Sequence, residues 1–271
     1  MPTPTLATAA QWLLNSVPTW PLALAVVGGS MVVAALGHRI VRRFTAADRP
    51  WEHNDVAGAI LAVVTGLYGL VLAFVIVAVW DDFQGTEEAV THEATSLAQV
   101  VRDSNGFPVP ARERIKQSVR AYVDAVVDGE WELMAIGRES PEADARLGSI
   151  FDAVQQFQPE TPSDTTFHQE VATVLNEVVH FRRERLFASS NSLPEPLALL
   201  ILGGAILCVG ALYFLRVPNA RAQAVMILSV TALLAFELLL ALLLTHPFSG
   251  DVAVSSRPFR TGALGALYDG G

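Results

Sequence analysis

The sequence predicts an all-α membrane protein: four transmembrane helices, with a large helical extramembrane domain inserted between the second and third. Three observations predict it. Apolar residues make up 52% of the 271 residues and mean hydropathy is +0.40, values that point to a membrane chain. The apolar residues gather in four runs, Trp20 to Val41, Ala57 to Trp80, Pro196 to Leu215 and Ala222 to Thr245. Each meets or approaches the roughly 20 residues that a helix needs to cross a bilayer. Residues 81–194, in between, carry 20 Asp/Glu against 10 Lys/Arg, a balance of −10 in a chain of net charge −9.

The natural divisions are therefore residues 1–80, a tail and the first two spans; 81–194, the acidic helical domain; and 195–271, the last two spans and a C-terminal tail. Residues 1–19 hold no Lys or Arg, so the basic start of a cleavable signal peptide is missing and the first span reads as an uncleaved anchor. Arg39, Arg42, Arg43 and Arg49 follow that span, and Arg216 and Arg221 lie between the third and fourth. Positive charge in short loops marks the cytoplasmic side. Both termini and residues 81–194 then fall on the outer side of the membrane, although Arg257 and Arg260 pull mildly the other way.

The second span ends at Trp80 and meets Asp81, Asp82, Glu87, Glu88 and Glu93 at once. Phe83, Val90, Ala94, Leu97 and Val101 continue a helical stripe beyond it, and no proline interrupts. One unbroken helix from the span into the acidic domain is the expectation; a turn at Asp81-Asp82 or Gly85 is the alternative. Ile115, Val119, Tyr122, Val123, Val126 and Trp131, and then Phe167, Val171, Val174, Leu175, Val178 and Val179, repeat at the helical period. Turn chemistry falls at SNGFPVP (104–110), RESPEA (138–143) and QPETPSD (158–164), dividing the domain into helices near 81–103, 111–137, 142–157 and 165–191.

Little in the chain resembles catalytic chemistry. No phosphate loop or nucleophile set occurs, the histidines are scattered, and the single Cys208 lies within the third span. The expectation is a protein that is not an enzyme and takes no cofactor. The acidic domain would repel nucleic acid and attract cations. No loop has the ligand spacing of a calcium loop, so any metal site is unknown.

Three sets of residues carry functional interest. Val63, Leu67, Leu70, Phe74, Val77 and Asp81 share one face of the second span. In a closed ring of subunits, copies of that face would line an apolar constriction with Asp81 and Asp82 at its charged entrance, a recurring plan for cation pores. In one subunit alone the same stripe would be core or lipid-facing surface. Glu237 is a carboxyl within the fourth span, either packed neutral against Gly28, Gly29 and Ser30 or taking part in ion binding. Glu130-Trp131-Glu132 and Arg182-Arg183-Glu184-Arg185 read as a salt-bridge network between helices. Gly28-Gly29-Ser30, Gly58, Gly66, Gly69 and Gly203-Gly204 allow close helix approach in lipid.

VWDDF with Glu93-Ala94, GEWELM at 129–134, RRERL at 182–186 and above all HPFSGDVAVSSRPF at 246–259 resemble the bestrophin-like family of bacterial four-span membrane proteins. The resemblance spans nearly the whole chain, and PFSG is its most specific part. It implies a homopentamer around a central pore whose neck is lined by the second span. The sequence departs from bestrophins in three ways. Its mouth is acidic where bestrophins usually select anions, its arginines place the large domain outside, and His246 stands where the family more often has a basic residue. PFSG would mark where the chain leaves the fourth span and packs back on the external helices.

The resulting expectation is an oligomeric, bestrophin-like ion channel embedded in lipid, its partners being copies of itself and inorganic ions, with cations slightly favoured by local charge. The alternative is a membrane-anchored sensor or scaffold whose external domain binds a partner or divalent ion. A transporter using Glu237 is weaker, since the paired broken helices of transporters are not evident.

Overall fold

The computed structural model describes residues 6–45, 54–191, 193–215 and 219–268; Arg49 and Arg216 of the orientation argument lie outside them. The described residues hold helices and no strand. They are α1 (Leu6–Ser16), α2 (Thr19–Thr45), α3 (Asn54–Asp103), α4 (Val109–Ala125), α5 (Trp131–Met134), α6 (Pro141–Gln155), α7 (Pro162–Ser190), α8 (Glu195–Leu212), α9 (Ala220–Thr245) and α10 (Gly262–Gly265). Four of them, α2, α3, α8 and α9, are long and apolar enough to cross a membrane.

The chain forms two compact units. The span unit comprises Leu13–Asp81 and Ser192–Thr245; the acidic unit comprises Met1–Trp12, Asp82–Asn191 and His246–Gly271. The residues after the fourth span thus fold with the acidic helices, whereas reading along the sequence groups them with the spans. Their aromatic side chains find partners there, as described below. α1 is a further helix where the sequence suggested only a tail.

In the span unit α9 is the most covered helix, with 39% of its apolar window buried against 11% for α2 and α3. Leu239 and Leu243 of α9 pack on Leu14 and Leu22, while Leu234 joins Leu72 and Val75 of α3 and Ile201, Ala205 and Cys208 of α8. Two tyrosines lock spans together over glycines. The Tyr68 ring lies against Gly204 and its hydroxyl donates to the Ile201 carbonyl at 2.6 Å. Tyr213 lies against Gly37 and donates to the Ala34 carbonyl at 3.1 Å. A side chain at Gly204 would enter the Tyr68 ring. Gly204→Leu is therefore expected to cost about 1–3 kcal/mol by overpacking. The same change at Gly203, where the added carbon meets nothing, should cost far less, a contrast read by thermal unfolding in detergent.

In the acidic unit each break follows its turn chemistry. A short 3₁₀ turn covers Ser104–Gly106 and Pro108 precedes α4. Ser140 caps α6 by accepting from the Ala143 amide. Thr161 and Asp164 form a reciprocal capping box at the start of α7. α3 runs unbroken through Asp81, Asp82 and Gly85 to Asp103: no proline interrupts it, and burial of Phe83, Val90, Ala94, Leu97 and Val101 outweighs the roughly 1 kcal/mol that a helical glycine costs. Gly137 takes φ +68 beyond α5, a left-handed position that favours glycine.

Candidate functional site

α3 is two-faced within the span unit. Leu72, Val75 and Val79 are buried on one side. Val63, Leu67, Leu70, Phe74 and Val77 lie on the other, each between 54% and 71% exposed. The stripe read from spacing is therefore not covered by the other spans of the chain. Asp81 and Asp82 at its end are exposed, and neither carboxylate makes an ion pair among the described residues. Gly58, Gly66 and Gly69 also border open space, as do Gly28, Gly29 and Gly203. Of the small residues expected to bring helices together, Gly204 does so within the chain.

Glu237 is half-buried on α9, within electrostatic reach of the Tyr68 hydroxyl. A Cβ placed at Gly28 or Gly29 would meet nothing within 4 Å. Among the described residues no cluster of three or more His, Cys, Asp or Glu could hold a metal.

The acidic unit is organised around a buried ion cluster. Arg185 of α7 is fully buried and donates to Glu93 of α3 through Nε at 2.7 Å and Nη2 at 3.1 Å. Its Nη2 also reaches Glu130 at 2.8 Å, and Nη1 contacts the Met134 sulfur at 2.9 Å. Arg182, one turn earlier, donates to Glu130 at 2.8 Å and to Asp144 at 3.1 Å. Tyr122 of α4 donates to the second Glu93 oxygen at 2.5 Å. The four most buried charges, two arginines and two glutamates, balance to zero. A π turn at Val126–Glu130 joins α4 to α5. Val126 and Glu130, at its two ends, are both fully buried.

The basic and acidic runs singled out in the sequence do pair, through Glu130, Arg182 and Arg185. Glu132, Arg183 and Glu184 stay at the surface. Sequence reasoning missed Glu93 and Tyr122. Glu93 had a signal: it lies between Val90 and Leu97 on the inward stripe of α3, unlike the exposed Glu87 and Glu88.

HPFSGDVAVSSRPF closes over this cluster. Phe248 meets the Trp131 ring edge-on at 5.5 Å, and Phe259 does so at 6.0 Å. The Arg185 guanidinium lies 5.4 Å from the Trp131 ring centre and 5.9 Å from that of Phe259. The Trp131 indole donates to the Val254 carbonyl at 3.2 Å, and Ser249 donates to the Ala135 carbonyl at 2.9 Å. Gly250, at φ +74, makes the turn. The segment packs back on the acidic helices, as its resemblance implied.

Burial disfavours the Arg185 charge, but Glu93, Tyr122 and Glu130 outweigh it and raise the pKa above its ordinary value. Burial and then the Glu93 charge push the Tyr122 hydroxyl well above 10, with Arg185 partly opposing. A raised folded pKa contributes stability that is complete below the unfolded value, about 10, and is lost as pH climbs past it. The acidic unit should thus weaken above pH ~10, and Tyr122→Phe should flatten that slope. Denaturation midpoints taken from pH 8 to 11 measure the difference.

The bestrophin-like domain profile matches residues 25–259. Several crystal structures of a bacterial bestrophin homologue from Klebsiella pneumoniae share the fold. Two point-substituted forms, each 14% identical, superpose with TM-scores of 0.70 and 0.71; both cover 90% of this chain, and the alignments span 98% and 99% of theirs. A third, solved by zinc phasing, gives 0.69 at 14% identity over 89% of this chain and 96% of its own. No curated protein matches the sequence. With the profile match extending from the first span through Phe259, the chain belongs to the bestrophin-like family.

Proposed function

We propose that this chain is the subunit of a homopentameric ion channel whose pore is lined by α3. Val63, Leu67, Leu70, Phe74 and Val77 form the apolar constriction, and Asp81 and Asp82 form an entrance that favours cations. One observation carries the reading: the stripe stays uncovered in the subunit while the opposite face of α3 packs on α8 and α9. The sensor or scaffold alternative leaves that stripe to core packing or to lipid. A ring of subunits supplies the missing cover and sets five copies of each carboxylate around one axis. The shared bestrophin fold supports the same assembly. In this reading residues 81–194 lie outside an inner membrane, on the side opposite Arg39, Arg42 and Arg43.

Purified protein in planar bilayers is expected to pass current, and mass measurement in detergent is expected to return five chains. A monomer, or a silent bilayer, overturns the proposal. Apolar constrictions resist wetting, so Phe74→Ser should raise unitary conductance several-fold. Unchanged conductance would remove Phe74 from the pathway.

A further inference from the structure

A second feature lies wholly within the acidic unit and does not depend on the pore reading. A groove of about 630 Å³ runs between α3 and the C-terminal segment, within the size range of small-molecule sites. Thr91, Thr95 and Arg102 line it from α3, and Arg257 and Thr261 line it from the other wall. Its floor is apolar, including Ala94 and Leu264, both nearly inaccessible.

The charge of this groove runs against its surroundings. No Asp or Glu lines it, although residues 81–194 hold 20 of them. Half of the unit's twelve Lys and Arg form ion pairs with carboxylates: Arg182 and Arg185 in the cluster, Arg112 and Lys116 with Glu113, Arg146 with Glu142, and Arg260 with Asp124 and Asp128. Neither the Arg102 nor the Arg257 guanidinium has a hydrogen bond or ion pair among the described residues. Arg102 lies in the last turn of α3, where a cation offsets the helix dipole. That accounts for one arginine and leaves Arg257 on the opposite wall unexplained. Both arginines are exposed, so their charges are open to an anion that enters the groove.

We propose that this groove binds a small organic phosphate, its head held by Arg102 and Arg257 and its apolar body on the floor of Ala94, Ala98 and Leu264. A phosphate monoester carries roughly −1.5 to −2 charge at neutral pH, which matches two guanidinium groups and their forked donors better than a carboxylate does. The apolar floor adds affinity for a ligand with a ring or chain.

Calorimetry on the full-length protein in detergent tests this with phenyl phosphate, inorganic phosphate and benzoate. Phenyl phosphate should bind saturably and more tightly than either of the others. Arg102→Gln and Arg257→Gln should each weaken it about tenfold or more, the loss of a charge-assisted contact, while Arg183→Gln on the exposed face of α7 leaves it unchanged. Absence of saturable binding, or equal binding by the arginine variants, overturns the proposal. So does binding of a short-chain phosphatidic acid without binding of phenyl phosphate, which would make the groove a lipid headgroup site. Dissociation of the oligomer by Arg102→Gln and Arg257→Gln with no effect of phosphate would mark it as a contact for a second copy, and likewise overturns it. Channel currents enter none of these readouts, so failure here leaves the pore proposal standing.

Discussion

Arg185→Ala is expected to lower the stability of the acidic unit by about 3–5 kcal/mol, the cost of breaking a buried ion pair by removing one partner. Arg185 holds both oxygens of Glu93 and one of Glu130. Without it, two buried carboxylates face each other with only Arg182, Tyr122 and the Ser140 amide to answer them. Packing adds to the loss, because the guanidinium fills the space beside Trp131 and Phe259. Glu93→Leu with Arg185→Met is instructive because it removes one charge of each sign and leaves Glu130 paired with Arg182. The double variant should therefore cost less than the sum of its single changes, a coupling measurable as a double-mutant cycle. Urea titration followed by Trp131 fluorescence supplies the data. An Arg185→Ala protein within about 1 kcal/mol of the parent would mean that the cluster does not stabilise the unit.

The second large effect concerns ion preference. Asp81→Asn with Asp82→Asn is expected to cut the cation-over-anion permeability ratio roughly tenfold at low salt, since like charges focused at a mouth raise counter-ion concentration by at least that factor. Exposure keeps both carboxylates in contact with water, so the effect should be screened. The Debye length falls from about 10 Å at 0.1 M salt to about 3 Å at 1 M, and the difference between parent and variant should shrink accordingly. Reversal potentials in asymmetric salt read both. A ratio unmoved at low salt would show that the carboxylates mark only the water line.

Much of the fold was legible in the sequence because the relevant physics is local. Four apolar runs announced four membrane-length helices, and Pro108, Ser140 and Thr161 stand where the acidic helices begin. Continuity of α3 across Asp81 and Asp82 followed from the lack of any residue that breaks a helix there. The π turn was not legible: Val126 and Trp131 sit five apart, and helical periodicity bridged them without revealing the extra residue. The ion cluster was half legible. Arg182, Arg185 and Glu130 announced themselves as charge runs, but Glu93 was hidden among exposed acids 92 residues away from its arginine.

By itself, then, the sequence determined which segments are helical, which of them are apolar enough for a bilayer, and where the acidity resides. Hydropathy and helical period are properties of neighbours along the chain. Tertiary structure alone decided that Leu72 and Val75 face the other spans while Leu70, Phe74 and Val77 remain uncovered. It also decided that Glu93 belongs to Arg185 and that the segment after α9 closes over Trp131. Those choices depend on burial, where a charge needs an opposite charge and an aromatic ring needs apolar cover, and the partners come from distant parts of the chain.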